Sequence, residues 1–499
     1  MANWQTLCLV FYCAIVLLLG IYGYHRYLIL RLFYRHHTAP SVPQSRFAEL
    51  PLVTIQLPMY NEFHVVDRLL DAVAAIDYPR DRLQIQVLDD SQDETRKKAR
   101  QAVARLADAG FDIEYMTRPS RQGFKAGALA FGLEWARGEF VLILDADFVP
   151  QPQILHQAIH YFTDGQIGMV QMRWGHTNRC YSLLTRIQSI FLDGHFVVEH
   201  TARNRSGRFF NFNGTAGIWR KCCIAEAGGW QHDTLTEDLD LSYRAQLAGW
   251  KFLFLPNIAV PGEIPVEINA FKLQQHRWTK GAVQTAKKLL PRIWRAPIPA
   301  KVKIEATFHL TANICYVLML LMALLTLPVL MVRAGMGWER FLIIDLPLFS
   351  FATMAISGFY ITSQRALYPD WKSQIKYLPM LMAVGMGLCI NNTRAVLEGL
   401  VGHQSGFLRT PKYGALTERD SLKKHKYAGK KHVLALFELG MAVYFAFVLY
   451  YAWTSGMYLG LPFLLLFYLG FLYSGLMSTL QPWIRLARLR LPRLASRAA

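Results

Sequence analysis

The chain has 499 residues, 53% of them hydrophobic, and its 54 Lys and Arg outnumber its 35 Asp and Glu for a net charge of +19. A positive mean hydropathy combined with long polar stretches excludes an ordinary soluble enzyme and suits a soluble domain joined to membrane helices. Much of the basic charge flanks apolar runs, which points to lipid headgroups and topology and away from a nucleic acid polymer.

Seven cysteines without a C-x-x-C pair, several inside apolar segments, argue against a disulfide framework or a zinc site and fit a reducing compartment. Residues 7–34 are apolar over the ~20 residues a span requires, with Arg26, Arg31, Arg35, His36 and His37 toward and beyond the far end. A signal peptide carries its positive charge before the apolar core. The expectation is an uncleaved span with the N-terminus outside and the following region in the cytoplasm.

From residue 51 short β-branched runs alternate with helical ones, the pattern of an α/β domain around a mostly parallel sheet. Residues 53–57 read as a strand, and Asn61-Glu62 starts a helix through Val66, Leu69, Leu70 and Val73. A second strand, 83–88, ends on Asp89-Asp90-Ser91. Carboxylates at the C-terminal ends of such strands face the ligand crevice, so Asp89 and above all Asp90 are candidates for holding a nucleotide's base and ribose. The alternative is a helix N-cap at Asp90 or Ser91.

Gln122-Gly123-Phe124-Lys125-Ala126-Gly127 begins another helix, whose Lys125 could neutralise a phosphate or be a plain solvated lysine. It lacks the Walker spacing. The continuous apolar run 140–144 reads as a buried strand that delivers Asp145 and Asp147 to the same crevice. Two carboxylates so spaced can supply oxygen ligands to Mg²⁺ or Mn²⁺, which in turn holds a diphosphate, although a chance D-x-D is common.

Phe212-Asn213-Gly214-Thr215 reads as a strand-to-turn element whose small residues admit a saccharide. Thr236-Glu237-Asp238 precedes a helical pattern through Leu239, Leu241, Ala245 and Leu247. A helix N-terminus favours carboxylates, which would keep Asp238 ionised and able to take a proton from a hydroxyl, with Glu237 beside it. In Gln274-Gln275-His276-Arg277-Trp278 helical spacing turns Gln274, Arg277 and Trp278 to one face, Arg277 toward a diphosphate and Trp278 under a sugar ring. The plain alternative is an interface helix with a snorkelling Arg and a belt Trp.

These four clusters, in this order, resemble the processive family 2 glycosyltransferases over about residues 50–415: cellulose synthases and, closer, the cellulose-synthase-like mannan and glucan synthases. The resemblance implies a GT-A-type, Rossmann-like cytoplasmic α/β domain inserted between α-helical transmembrane segments. It implies Asp147 as the surer metal ligand, Asp145 nearer the nucleotide, and Gln275 and His276 among the substrate-binding residues. Segments 170–176 and Asp193-Gly194-His195 resemble acceptor-side elements, a strand edge and an interfacial helix being the equal alternative. Phe407-Leu408-Arg409-Thr410-Pro411-Lys412 resembles the family's gating loop, Phe-x-Val-Thr-x-Lys, with Arg in place of Val. That implies a loop that brings Thr410 and Lys412 over the nucleotide and excludes water; a basic linker is the alternative. In cellulose synthases the stretch matching 212–217 is aromatic and cysteine-containing, a departure that leaves acceptor placement and sugar identity open.

Further spans are expected at 306–332, 341–362, 433–453 and 457–477, whereas the apolar core of 377–390 is of the ~10–14 residue class that lies in the interface or is buried. If 377–390 crossed, Lys412, Lys423, Lys424, Lys426, Lys430 and Lys431 would lie outside, against the positive-inside tendency. If it does not, they share the cytoplasm with Arg485, Arg488, Arg490, Arg493 and Arg497. Five spans are expected, with six as the alternative. The domains are then a transmembrane helix at 1–35, a cytoplasmic catalytic domain at 36–300, and a membrane region at 301–499 with a cytoplasmic gating loop at about 396–432.

The reading is an integral-membrane enzyme of the plasma or bacterial inner membrane, dependent on Mg²⁺ or Mn²⁺. It would transfer hexose from UDP-glucose or GDP-mannose with inversion to a growing β-glycan and pass the product through its own helices. UDP-N-acetylglucosamine is the less favoured donor. Asn391 and Asn392 would line the path or serve helix packing, and no C-terminal cyclic-dinucleotide module is expected. Partners are the sugar nucleotide donor, a glycan acceptor and membrane lipids, with export partners or a homo-oligomer left open. The rivals are single transfer to a ceramide or polyprenyl-phosphate acceptor, and an inactive sugar-binding transporter or receptor.

Overall fold

The structure, a computed structural model, describes residues 2–38, 41–337, 339–403, 406, 409–414 and 433–490, without the side chains of 2, 3, 339–346, 348 and 482–490. Phe407, Leu408, Lys423, Lys424, Lys426, Lys430, Lys431, Arg493 and Arg497 lie outside the described residues, as do the side chains of Arg485, Arg488 and Arg490.

Seven strands, β1 (Val53–Met59), β2 (Leu83–Asp89), β3 (Ile113–Met116), β4 (Phe140–Ile143), β5 (Ile167–His176), β6 (Gly217–Arg220) and β7 (Lys251–Gly262), form one sheet in the order β3-β2-β1-β4-β6-β5-β7. β1 pairs in parallel with β2 and β4, β2 with β3, and β5 with β7. β6 pairs antiparallel with β4 and β5 and alone runs against the rest.

The apolar runs are continuous because both faces are covered. Ile55, Leu57, Ile85, Val87 and Leu142 pack with Val66, Leu69, Leu70 and Ala99 of two helices on one face. Leu88, Val141 and Ile143 pack with Ala128 and Leu129 of the helix Phe124–Trp135 on the other. This second face also holds buried polar rungs, Thr54 Oγ1 donating to Gln84 Oε1 at 2.8 Å and Gln56 Nε2 to Gln86 Oε1 at 3.0 Å. Gly132 lets the helix lie on them, since a Cβ there would come within 2.7 Å of Gln56 Nε2.

Among the described residues four helices are long and apolar enough to cross a membrane: Trp4–His36, Ile314–Met336, Leu434–Thr454 and Tyr458–Gln481. Trp371–Gly387 and Cys389–Val401, bent by 42° at their junction, add a fifth crossing among the described residues if they act as one broken span. The doubtful segment 377–390 falls at this bend. The span expected at 306–332 is interrupted, with separate helices Ala300–Thr311 and Ile314–Met336, and the one expected at 341–362 lies on the helix Glu339–Leu367. Leu7, Leu17, Leu436 and Val443 are largely exposed, as lipid-facing residues are, while Tyr12, Ile15, Phe445, Phe467 and Phe471 close a core between the helices.

The helix Ile268–Arg295 carries the Gln274–Trp278 cluster and joins the two halves. Just before that cluster, Lys272 Nζ meets Glu438 Oε2 at 2.5 Å and Ser478 Oγ at 2.5 Å, on two apolar helices. Asn391 Nδ2 donates to the Lys272 carbonyl at 3.0 Å and to Asn392 Oδ1 at 2.9 Å, so this asparagine pair serves helix packing. Removing one member of a buried pair strands the other charge at about 3–5 kcal/mol. Glu438→Ala should therefore lower the melting temperature in detergent sharply, and Lys272→Met combined with Glu438→Leu should restore much of it; equal melting of the single variant and the parent would remove the pair from the stability account.

Candidate active site

Because every strand but β6 points one way, residues just past β1, β2, β4 and β7 meet at one edge of the sheet, the edge where open α/β sheets bind ligands. The cavity there is lined by Asp90, Asp145, Asp147, Glu237, Asp238 and Glu263, and on its other walls by Gln274, Arg277, Trp278, Thr410 and Lys412. Four clusters spread over the sequence thus share one space.

Each acid is held differently. Asp90 is gripped by Arg118, whose Nε lies 3.1 Å from Oδ1 while its Nη2 donates to Oδ2. Asp145 faces Lys125 Nζ at 2.5 Å, and the same ammonium donates to the Gly214 carbonyl at 2.7 Å. Asp147 is 4% exposed, and its Oδ2 accepts the Glu263 N–H at 2.8 Å and Lys412 Nζ at 2.9 Å.

Each of Asp145 and Asp147 keeps a second oxygen that no lysine engages. Among the described residues no group of three or more His, Cys, Asp and Glu could hold a metal by itself. Two hard carboxylate oxygens, completed by phosphate oxygens and water, do fit Mg²⁺ or Mn²⁺.

The acid pair is packed directly against the helix Ile268–Arg295. A Cβ at Gly281 would lie 2.5 Å from Thr236 Cγ2, and the Leu235 N–H donates to Gln284 Oε1 at 2.9 Å. Asp238 opens the helix Glu237–Leu247, its Oδ1 accepting the Leu239 N–H at 2.8 Å. Burial and the neighbouring Glu237 carboxyl nevertheless push Asp238 up to about 7. Glu237 is also raised, by burial, against the opposing charges of Lys125 and Arg277. The helix N-terminus expected to keep Asp238 ionised is opposed here: desolvation beside a second acid works against a helix dipole worth about 1 kcal/mol and raises the group.

Gly214 (φ 81°) clears the space beside Asp238, since a Cβ would sit 2.9 Å from Oδ2. The ring centroids of Trp278 and Trp174 are 6.5 Å apart, and those of Trp174 and Phe148 5.2 Å, which makes one wall aromatic. At the far end the Arg121 guanidinium lies 3.4 Å from the Tyr60 ring centroid.

Three expected residues fall elsewhere. Asp89 is 1% exposed, and its oxygens accept the Ser91 N–H at 2.8 Å and the Tyr115 hydroxyl at 2.6 Å. Strand alternation turns it away from the cavity that Asp90 lines. Gln275 and His276 do not line the cavity; His276 Nε2 turns instead to Glu398, 3.4 Å away. Of the acceptor-side segments, Trp174 and His176 reach the cavity, while Asp193 holds His176 at 3.2 Å. His195 sits behind, on Glu199 at 2.9 Å and Asn213 at 3.0 Å.

Tyr60, Glu62, Arg121 and Glu263 line the cavity and were not among the sequence candidates. Glu62 and Glu263 follow β1 and β7, so the strand-end rule that found Asp90 and Asp145 reaches them too.

Comparison with known proteins agrees with this geometry. Residues 51–281 match the family described as "Glycosyltransferase like family 2". Glucomannan 4-beta-mannosyltransferase 2 of Arabidopsis thaliana is 43% identical over 264 residues, 52% of this chain and 49% of that one. Glucomannan 4-beta-mannosyltransferase 1 of Oryza sativa subsp. japonica is 41% identical over 276 residues, 54% of this chain and 52% of that one. The match thus spans about half the length of these relatives. A mannosyltransferase from Pyrobaculum calidifontis, solved in complex with GDP-Man and Mn²⁺, shares the fold with a TM-score of 0.54 at 19% identity, over 78% of this chain and 99% of that one. The chain carries, across residues 51–281, a GT-A-like domain of the family 2 glycosyltransferases.

Proposed function

We propose that the protein is a membrane-embedded, inverting hexosyltransferase that moves mannose from GDP-mannose onto a growing β-linked glycan. The observation that carries this reading is the meeting of the D-x-D carboxylates, the Glu237-Asp238 pair and Arg277-Trp278 in one cavity beside the apolar helices. The choice of mannose follows the names of the curated relatives.

The donor's nucleoside lies toward Asp90, Arg121 and Tyr60, and its diphosphate between Lys125, Arg277 and Lys412. Asp145 and Asp147 would hold the divalent cation, which when bound draws charge from the diphosphate and improves the leaving group. Trp278 and Trp174 hold the acceptor's terminal sugar with one hydroxyl toward Asp238. That oxygen attacks the anomeric carbon from the face opposite the diphosphate, its proton passes to Asp238, and the anomeric carbon–oxygen bond breaks to release GDP. A single displacement converts an α-linked donor into a β-linkage. Arg277, whose charge answers Glu237, Asp145 and Asp238, steadies the departing diphosphate. Residues 1–35, 36–300 and 301–499 then act as anchor, catalytic domain and membrane region, with the catalytic face in the cytoplasm and the polymer leaving between the helices.

Membranes containing the protein, given GDP-mannose and Mn²⁺, should release GDP and yield a long polymer that a β-mannanase degrades, with far less release from UDP-glucose. A lipid-linked monosaccharide as sole product would replace polymerisation with single transfer.

Because the base must be ionised, kcat/KM should fall about tenfold for each pH unit below about 7, the value to which Asp238 is raised. Asp238→Asn should lower kcat by about 10²–10⁴-fold with GDP binding intact. A rate that stays flat down to pH 5 would assign the base elsewhere. Asp147→Ala should weaken GDP binding in Mn²⁺ buffer but much less in EDTA, as titration calorimetry would show; equal losses in both buffers would separate Asp147 from the cation.

A further inference from the structure

Segment 409–414 forms part of the cavity wall through Arg409, Thr410 and Lys412. Its first residue is fixed to the end of β1, where Arg409 donates to both Glu62 carboxylate oxygens and to the Asn61 carbonyl. Its last residues are fixed by one residue past β7. Glu263 is 3% exposed, and its Oε1 accepts the Tyr413 N–H at 2.8 Å while Oε2 accepts the Gly414 N–H at 2.9 Å. The Glu263 carbonyl accepts Lys412 Nζ at 2.5 Å. Its own N–H goes to Asp147 Oδ2, the same oxygen that takes Lys412.

One residue therefore grips the segment by two successive amides and one ammonium while steadying a D-x-D carboxylate. A buried carboxylate is costly unless its oxygens are taken up. Here burial raises the Glu263 carboxyl, and Lys412 with the Tyr413 amide opposes the rise. Two parallel N–H donors need two acceptors on one side chain, which a carboxylate offers and a glutamine amide offers only once. Gly414 (φ 64°) makes the second contact available by taking the left-handed conformation that other residues resist.

We propose that Glu263 is the positioning residue for segment 409–414: its carboxylate clasps the Tyr413 and Gly414 amides, sets Thr410 and Lys412 inside the cavity, and so controls how well the donor is held. Glu263 touches no reacting atom. The clasp is independent of which sugar is transferred, and only its kinetic consequence rests on the transferase reading.

The test compares the full-length protein with Glu263→Gln and Glu263→Ala in nanodiscs, by amide hydrogen exchange over 409–414 and by donor kinetics. A hydrogen bond to a charged group is worth about 1.5–3 kcal/mol, so Glu263→Ala should speed exchange of the Tyr413 and Gly414 amides at least about tenfold. Donor KM should rise by about the same factor with a smaller change in kcat, and Glu263→Gln should fall between, since it keeps one acceptor. Parental exchange rates in Glu263→Ala would overturn the clasp, and a loss confined to kcat would overturn its control over donor binding. Should Glu263→Ala fail to fold, Glu263→Gln decides: faster exchange at one of the two amides supports the clasp, and unchanged exchange at both overturns it. Faster exchange in a protein that transfers sugar from no donor would keep the clasp and remove the transferase reading.

Discussion

The site depends on keeping several carboxylates close together and largely out of water. Asp145, Asp147, Glu237, Asp238 and Glu263 share one cavity. An isolated buried carboxylate would take up a proton before it stayed charged there. Two answers to that cost are present, and one acid is left without a full one. Lys125 and Lys412 each engage one D-x-D carboxylate, main-chain amides engage Glu263, and Asp238 remains under-compensated beside Glu237. A carboxylate raised toward neutrality suits proton transfer, because a general base works best near the operating pH. The same burial that destabilises the charge thus tunes the group.

Such tuning holds only if the surrounding elements stay in register. The helix Ile268–Arg295 supplies Gln274, Arg277 and Trp278 on one face, meets Thr236 across Gly281, and is tied to the apolar helices through Lys272–Glu438 and Lys280–Glu398. The sheet domain and the apolar helices are therefore joined through the helix that carries Gln274, Arg277 and Trp278. The acceptor position proposed at Trp278 would put a glycan where the sheet domain meets the helical bundle, the place a polymer must start if it is to leave through the helices.

Much of this was legible in the sequence. The apolar runs of β1, β2 and β4 and the acids just past them follow from local pattern, because a strand buried on both faces has no alternation to disguise it. Helical spacing put Gln274, Arg277 and Trp278 on one face, and all three line the cavity, whereas Gln275 and His276, expected among the substrate-binding residues, do not. The adjacent pair Asp89-Asp90 shows the limit of motif reading, since successive strand residues point to opposite sides and only one reaches the cavity. What local pattern does not carry is partnership across long stretches of chain. Arg409 finds Glu62, Lys412 finds Asp147, and Glu263 finds Tyr413 only once the fold has closed. The upward shift of Asp238 was hidden for the same reason: a helix N-terminus is a local feature, whereas desolvation is set by everything packed around it.

The distribution of charge also bears on what enters the cavity together. The acids of its lining have cations set against them in kind: Arg118 on Asp90, Lys125 on Asp145, Lys412 on Asp147, Arg409 on Glu62, and Arg277 facing Glu237 and Asp238. With the fixed charges nearly balanced, a nucleoside diphosphate sugar carrying roughly two negative charges would upset that balance if it came alone, and in a poorly hydrated cavity such an imbalance is expensive. It is least disturbing when a divalent cation accompanies it. Lys412, which pairs with Asp147 and the Glu263 carbonyl, would then have a second anion within reach. If Asp147 held such a cation, Lys412 would be freed to face the diphosphate, which would tie donor binding to segment 409–414.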